Sequence, residues 1–218
     1  MLSKTEENYI KTIFNLDASC TKNISTTLIA NEIDTKASSV TDMLKKLADK
    51  NLINYTKYKG ASLTEKGKKT AVTVVRNHRI WEVFLVNHLQ YSWDEVHDLA
   101  EQLEHIKSDT LIDRLDAFLN FPEFDPHGEP IPDKNGKIRL KNTLLLSQAK
   151  PNLLYKVASV KDDSSALLQF LDKHHISLNS EFTVVEKFDF DNSITIKLNE
   201  TLLTLSNKVC KNVFVIKK

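Results

Sequence analysis

Over residues 4–16 the apolar side chains fall at Tyr9, Ile10, Ile13, Phe14 and Leu16, one face of a helix with Ser3 and Thr5 available to cap it. A second helix is expected over Thr26–Glu32. Ile33, Asp34, Thr35, Lys36 and Ala37 then make a short polar break, and Ser38 opens an amphipathic helix that runs through Val40, Met43, Leu44 and Leu47 to about Lys50. Helix, tight turn, helix is the result. Residues 52–55 and 60–64 read as two short strands around a tip of Lys57, Tyr58, Lys59 and Gly60, which adds a wing to the helix-turn-helix.

Helical periodicity continues over residues 65–89, 92–106 and 108–119, until Pro122, Pro126, Gly128, Pro130 and Pro132 end it. Beyond a turn-rich stretch around Asp133 and Gly136, alternation returns at Leu153-Tyr155-Val157, Phe182-Val184-Val185, residues 194–196 and residues 213–215, with a helix over 164–173. The expected fold is mainly α with a small β domain: a winged helix-turn-helix over 1–72, a helical segment over 73–135, a linker over 136–150 and an SH3-like β-barrel over 151–218.

The chain has 218 residues, 41% hydrophobic and 27% charged with four glycines, the composition of an ordinary globular protein. No apolar run approaches the length of a membrane span and no leader pattern opens the chain, so the expected location is the cytoplasm. Cys20 and Cys210 lie far apart without zinc-knuckle spacing and receive no chemistry. The net charge of +1 conceals a division. Lys and Arg number 12 against 8 acids over residues 1–72, 5 against 13 over 73–135, and 13 against 8 thereafter; the acidic block also holds most of the histidines. A basic flank suits phosphate, whereas acids and imidazoles gathered together suit a cation.

In a winged helix-turn-helix the second helix enters the major groove, so its first turns should present small polar groups to base edges. Ser38, Ser39, Thr41 and Asp42 have that character. Lys45 and Lys46 lie further along, and Lys36, Lys57 and Lys59 flank the helix and the wing, where cations meet phosphate. For metal, His78 and Glu82 are spaced i, i+4 on one helix, and His97, Glu101, Glu104 and His105 fall on one side of the next. Imidazole and carboxylate without thiolate suit manganese, iron(II), zinc or cobalt. Neither a zincin pattern, a nucleophile elbow nor a phosphate-binding glycine loop is present, which argues against an enzyme. A metal-storage or metal-delivery protein with an incidental helix-turn-helix is the alternative.

Thr5-Glu6-Glu7-Asn8-Tyr9-Ile10, Ser38-Ser39-Val40-Thr41, Leu63-Thr64-Glu65-Lys66-Gly67, Asn77-His78-Arg79, Val96-His97-Asp98, Leu103-Glu104-His105 and the 126–132 segment carry a resemblance over nearly the whole chain. The sequence resembles the diphtheria toxin repressor family of metal-dependent transcriptional repressors, nearest its manganese-responsive branch. The resemblance implies a helical metal-binding and dimerisation domain over 73–135, a homodimer on palindromic double-stranded operator DNA, and Mn(II) or Fe(II) as cofactor, with Zn(II) or Co(II) bound in vitro. It implies a primary metal position using Asn8, Glu101, Glu104 and His105. An ancillary position would use His78, Glu82 and His97 with an acid from the C-terminal domain, Asp163, and with Asp125 and His127 from the proline-rich segment. Two departures stand out: Asn8 replaces the family's Asp or Met, and Lys11 stands where short manganese regulators place a second carboxylate.

Overall fold

The computed structural model describes residues 2–17, 24–139, 141–161 and 164–218. The chain forms two compact units that interleave along the sequence, one from Met1–His78, Glu101–Ile112 and Pro132–Lys137, the other from Arg79–Ala100, Asp113–Ile131 and Ile138–Lys218.

In the first unit, α1 (Lys4–Asp17) opens with a reciprocal cap: Glu6 N donates to Ser3 Oγ at 3.3 Å and Ser3 N donates to Glu6 Oε2 at 2.9 Å. Its Tyr9, Ile10 and Ile13 meet Ile29 of α2 (Thr26–Glu32) and Val40, Leu44 and Leu47 of α3 (Ala37–Asp49) in one apolar core. The turn between α2 and α3 is made by Asp34 in the left-handed region at φ 50°, a conformation Asp tolerates because its side chain can bond locally. Strands β1 (Ile53–Thr56) and β2 (Gly60–Leu63) pair antiparallel, and Ile24 adds a bridge to Ala61.

Helix α4 (Glu65–Leu89) starts where the Leu-Thr-Glu-Lys-Gly motif dictates. The Thr64 hydroxyl accepts Gly67 N at 3.1 Å and donates to Leu52 O at 3.1 Å, capping the helix and fastening it to the start of the wing. A Cβ on Gly67 would lie 2.0 Å from Leu52 O, so only glycine permits that approach.

The second unit continues α4, holds the first part of α5 (Val96–Leu103) and most of α6 (Asp109–Phe118), and is dominated by an antiparallel sheet. Its strands are β3 (Leu144–Leu145), β4 (Leu153–Val160), β5 (Glu181–Lys187), β6 (Ile194–Leu198), β7 (Thr201–Leu205) and β8 (Val213–Lys217), in the order β3-β8-β4-β5-β6-β7. Bulges at Val157/Ser159 and Val184/Glu186 bend it. Val157, Val160, Phe182, Val184, Ile196 and Val215 share its core with Leu168 and Leu171 of α7 (Ser165–Lys173) and with Cys210 of α8 (Asn207–Cys210).

The structure differs from the sequence reading in several places, the short helix α8 among them. Residues 136–150 are not wholly a linker: Leu144 and Leu145 pair with β8, and Leu146 is buried in the sheet's core. Strand β7 was not anticipated. Helix α5 is shorter than 92–106, because the Ser92 hydroxyl donates to Glu95 at 2.7 Å in a turn before it, and Ile106 N closes an i→i+3 bond on Leu103 O at 3.1 Å after it. Glu104 and His105 therefore stand on the turn that follows α5. Among the described residues no helix is long and apolar enough to cross a membrane.

Candidate metal centre and nucleic-acid interface

The first turns of α3 present Ser38, Ser39 and Asp42 to solvent, with exposed Lys36 at the N-cap and exposed Lys45 one turn on. Thr41 is half-buried and its hydroxyl donates back to Ala37 O at 2.9 Å. Lys45 pairs with Asp42 at 3.3 Å, a solvated contact of little energetic weight. At the wing tip Lys57 lies over the ring of Tyr58, 5.0 Å from its centroid, and Lys59 is exposed beside it. Lys46 has a different surrounding: with Lys50 it reaches Glu6 of α1, at 3.1 and 2.6 Å. Burial would raise the Glu6 carboxyl, but the bonds from Lys50, from the Ser3 backbone and from Lys46 outweigh it and hold it at about 2. The residue after it, Glu7, faces the other way.

Glu7 accepts from His105 Nδ1 at 2.7 Å and pairs with Lys107. Burial pushes the His105 imidazole below its usual pKa against the pull of Glu104. The neutral ring donates through Nδ1, leaving the Nε2 lone pair 3.6 Å from Glu104 Oε1. This is the arrangement by which a carboxylate sets the tautomer of a metal-binding histidine. Glu104, wholly buried, accepts His78 Nδ1 at 2.7 Å on Oε2. Lys11 of α1 approaches the same oxygen at 2.8 Å and also pairs with Glu101. His78, Glu101 and Glu104 each offer a ligand atom, all within 4.8 Å of one another.

In the second unit Glu82, Asp125 and His127 meet the same spacing, and all three are buried. Glu82 Oε1 lies 3.8 Å from His127 Nδ1 and 3.7 Å from His97 Nδ1, beyond hydrogen-bond length. His127 Nε2 stands 2.7 Å from Trp93 O, a carbonyl that can only accept, so the ring donates through Nε2–H and Nδ1 carries the free lone pair. A tight turn fixes the segment: Asp125 Oδ1 accepts the backbone N–H groups of His127 and Glu129, each at 2.9 Å, and Gly128 takes φ +84°. Arg79 clamps it, reaching Asp125 Oδ2 at 3.3 Å and Pro130 O at 2.6 Å and pairing with Glu129. Burial and the neighbouring Glu82 charge push the Asp125 carboxyl up to about 8 despite Arg79.

Both clusters fit a divalent cation by their donor chemistry. Imidazole and carboxylate without thiolate suit manganese, iron(II) or zinc, and carboxylates buried together lower their mutual repulsion by binding one. In the first unit, Asn8 Oδ1 and Glu104 Oε1 are buried without a hydrogen-bond partner among the described residues. Glu82, Asp125, His127 and His97 are neighbours, whereas Asp163 lies outside the described residues. Sequence reasoning missed Glu7, Arg79 and the Trp93 carbonyl, which orient donors rather than supply them. Acids beside imidazoles in sequence gave no signal for contacts made across 34 to 100 positions.

Comparison with known proteins covers both halves. Residues 1–61 match the N-terminal DNA binding domain of the iron dependent repressor, residues 64–133 its metal binding and dimerisation domain, and residues 144–217 the FeoA domain. The chain is 40% identical over 91 residues to a probable metal transport system membrane protein of Chlamydia trachomatis, a match covering 42% of this chain and 20% of that protein. It is 33% identical over 131 residues to the iron-dependent repressor IdeR of Mycobacterium tuberculosis, covering 60% of this chain and 56% of IdeR. The chain thus spans a fifth to about half of the length of these curated relatives. A solved manganese-dependent transcriptional repressor in complex with manganese superimposes with a TM-score of 0.92 at 32% identity, over 98% of this chain and all of that one. With a winged helix, a cation-donor cluster and a terminal sheet in the same order as these repressors, the chain belongs to the iron-dependent repressor family, the diphtheria toxin repressor family of metal-dependent transcriptional repressors.

Proposed function

We propose that this chain is a metal-activated repressor that binds operator DNA as a homodimer in the cytoplasm, with Mn(II) or Fe(II) as the activating ion, and so governs genes of metal homeostasis. Residues 1–72 would contact DNA, 73–135 would bind metal and dimerise, and an SH3-like domain that begins near Leu144 would follow. Ser38, Ser39, Thr41 and Asp42 would meet base edges, while Lys36, Lys45, Lys57 and Lys59 would meet phosphates, with Lys46 shared between phosphate and Glu6.

The observation that carries the reading is the double attachment of α1. Through Glu6 it grips Lys46 and Lys50 at the end of the recognition helix; through Glu7 and Lys11 it grips His105, Glu101 and Glu104. Glu101, Glu104, His105 and Asn8 would hold an ion in the first unit, and Glu82, His97, Asp125 and His127 in the second, with His78 beside Glu104. The bound ion supplies positive charge at a point where the buried carboxylates concentrate negative charge. The chain's own part is to transmit order: α1 cannot shift against α5 without disturbing Glu6, and Glu6 cannot shift without disturbing the end of α3. Coupling of this kind is reciprocal, so operator DNA must tighten metal binding by the factor by which metal tightens DNA binding.

The test is fluorescence anisotropy with the protein's own promoter DNA at constant salt, in chelator, Mn(II), anaerobic Fe(II) and Zn(II). A steep rise in DNA affinity with one metal, lost in Glu104→Ala, is expected. Equal affinity in chelator and in every metal would overturn the reading and return the chain to metal storage or delivery.

A further inference from the structure

In the first-unit cluster the place of a cation is already taken by one that the chain carries itself. Lys11 Nζ pairs with Glu101 Oε1 and stands 2.8 Å from Glu104 Oε2, with 11% of its side chain exposed against none for Glu104. The groups around it complete the picture. His78 Nδ1 reaches the same Glu104 oxygen, His105 Nε2 faces the other, and Glu7 is engaged by His105 and Lys107. On its own helix Lys11 lies one turn from Asn8, a neutral amide with a buried oxygen.

Charge decides what this arrangement permits. Glu101 and Glu104 bring two negative charges and Lys11 one positive, so these three side chains together carry about −1. A divalent ion added with Lys11 in place would leave an excess positive charge among groups shielded from water, where like charges repel strongly. Asn8 cannot offset it, as a carboxylate at that position would. The ion and the ammonium therefore exclude each other. Lysine suits such a role because its ammonium is a point charge on a flexible stem that can swing out to solvent, whereas the arginine fork would hold both carboxylates at once.

We propose that Lys11 is a tethered competitor: it closes Glu101 and Glu104 around its own ammonium in the metal-free protein, and its displacement sets the metal concentration at which this site fills. The proposal rests on the reading of Glu101 and Glu104 as metal ligands, and it places a threshold-setting residue on the same helix that grips the recognition helix. Metal-free protein is thereby kept from leaving the buried Glu104 and the half-buried Glu101 carboxylates without a counter-charge.

The test is Mn(II) binding to the full chain without DNA, followed by the electron paramagnetic resonance of free Mn(II) at fixed pH and ionic strength. Four proteins are compared: the native chain, Lys11→Gln, Lys11→Arg and Glu104→Gln. Lys11→Gln should tighten one of the bound equivalents by about tenfold or more, and Lys11→Arg should weaken the same equivalent by a similar factor, with the other equivalent unmoved. Lys11→Arg keeps the charge and so carries the test alone if Lys11→Gln does not fold, as judged by circular dichroism. Unchanged or weaker binding in Lys11→Gln, or unchanged binding in Lys11→Arg, overturns the proposal while leaving the repressor reading intact. Glu104→Gln separates the two: loss of one equivalent supports the ligand reading, and an unaltered titration removes that reading and this proposal together.

Discussion

Replacing Glu6 with Gln removes the charge that joins α1 to the end of the recognition helix. The native carboxylate is 1% exposed and accepts from Ser3 N, Lys50 and Lys46 at 2.9, 2.6 and 3.1 Å. Its pKa falls from an ordinary 4.5 to about 2, a depression that linkage converts to about 3 kcal/mol of stability at neutral pH. Solvent reaches both lysines, 57% and 37% exposed, so screening reduces the expected cost of Glu6→Gln to on the order of 1–2 kcal/mol. Because the folded pKa is the lower one, the contribution is fully present above about pH 4.5 and is lost as pH falls through about 2. Urea unfolding of native and Glu6→Gln protein at pH 7, 4 and 2.5 measures it. The difference in unfolding free energy should shrink steadily with falling pH, and Lys50→Met should remove most of it at pH 7. A difference that stays constant from pH 7 to 2.5, or one below about 0.5 kcal/mol at pH 7, would show that these bonds add nothing beyond what water offers the unfolded carboxylate.

Glu7→Ala takes away the acceptor of His105 Nδ1; Mn(II) affinity of one equivalent should fall by roughly tenfold to a hundredfold, since a histidine released from its carboxylate loses both tautomer and orientation. Unchanged affinity in a competition titration would separate His105 from the site. Gly128→Ala places a Cβ 2.2 Å from Ala158 O at φ +84°. It should destabilise the second unit by about 2–3 kcal/mol, visible as an earlier unfolding transition by calorimetry; an unmoved transition would mean that the turn carrying Asp125 and His127 yields without cost.

Helices α1 to α4 were legible from their apolar spacing, and α1, α2 and α4 also carry a side-chain cap at the start, the Ser3–Glu6 box, Ser25 and Thr64, whereas α3 opens at Lys36 without one. The residue types of the candidate centre were legible too, since His78 with Glu82 and His97 with Glu101 obey helical spacing. Strand β7 was not, because Thr-Leu-Leu-Thr-Leu is an apolar run whose period does not separate strand from helix without its partner β6. The last part of 136–150 escaped for a related reason: two residues pairing with β8 leave no pattern of their own.

Sequence by itself determined most of the elements, the family and which side chains are able to bind a cation, because propensity, capping and residue chemistry act within a few positions. Tertiary structure alone decided how those side chains are used. It put Lys11 between Glu101 and Glu104, turned Glu6 toward the recognition helix and Glu7 toward His105, and buried Asp125 against Glu82 under the Arg79 clamp. These are contacts between residues 40 to 100 positions apart. Their strength comes from exclusion of water, a property of the packed chain that no local window of sequence contains.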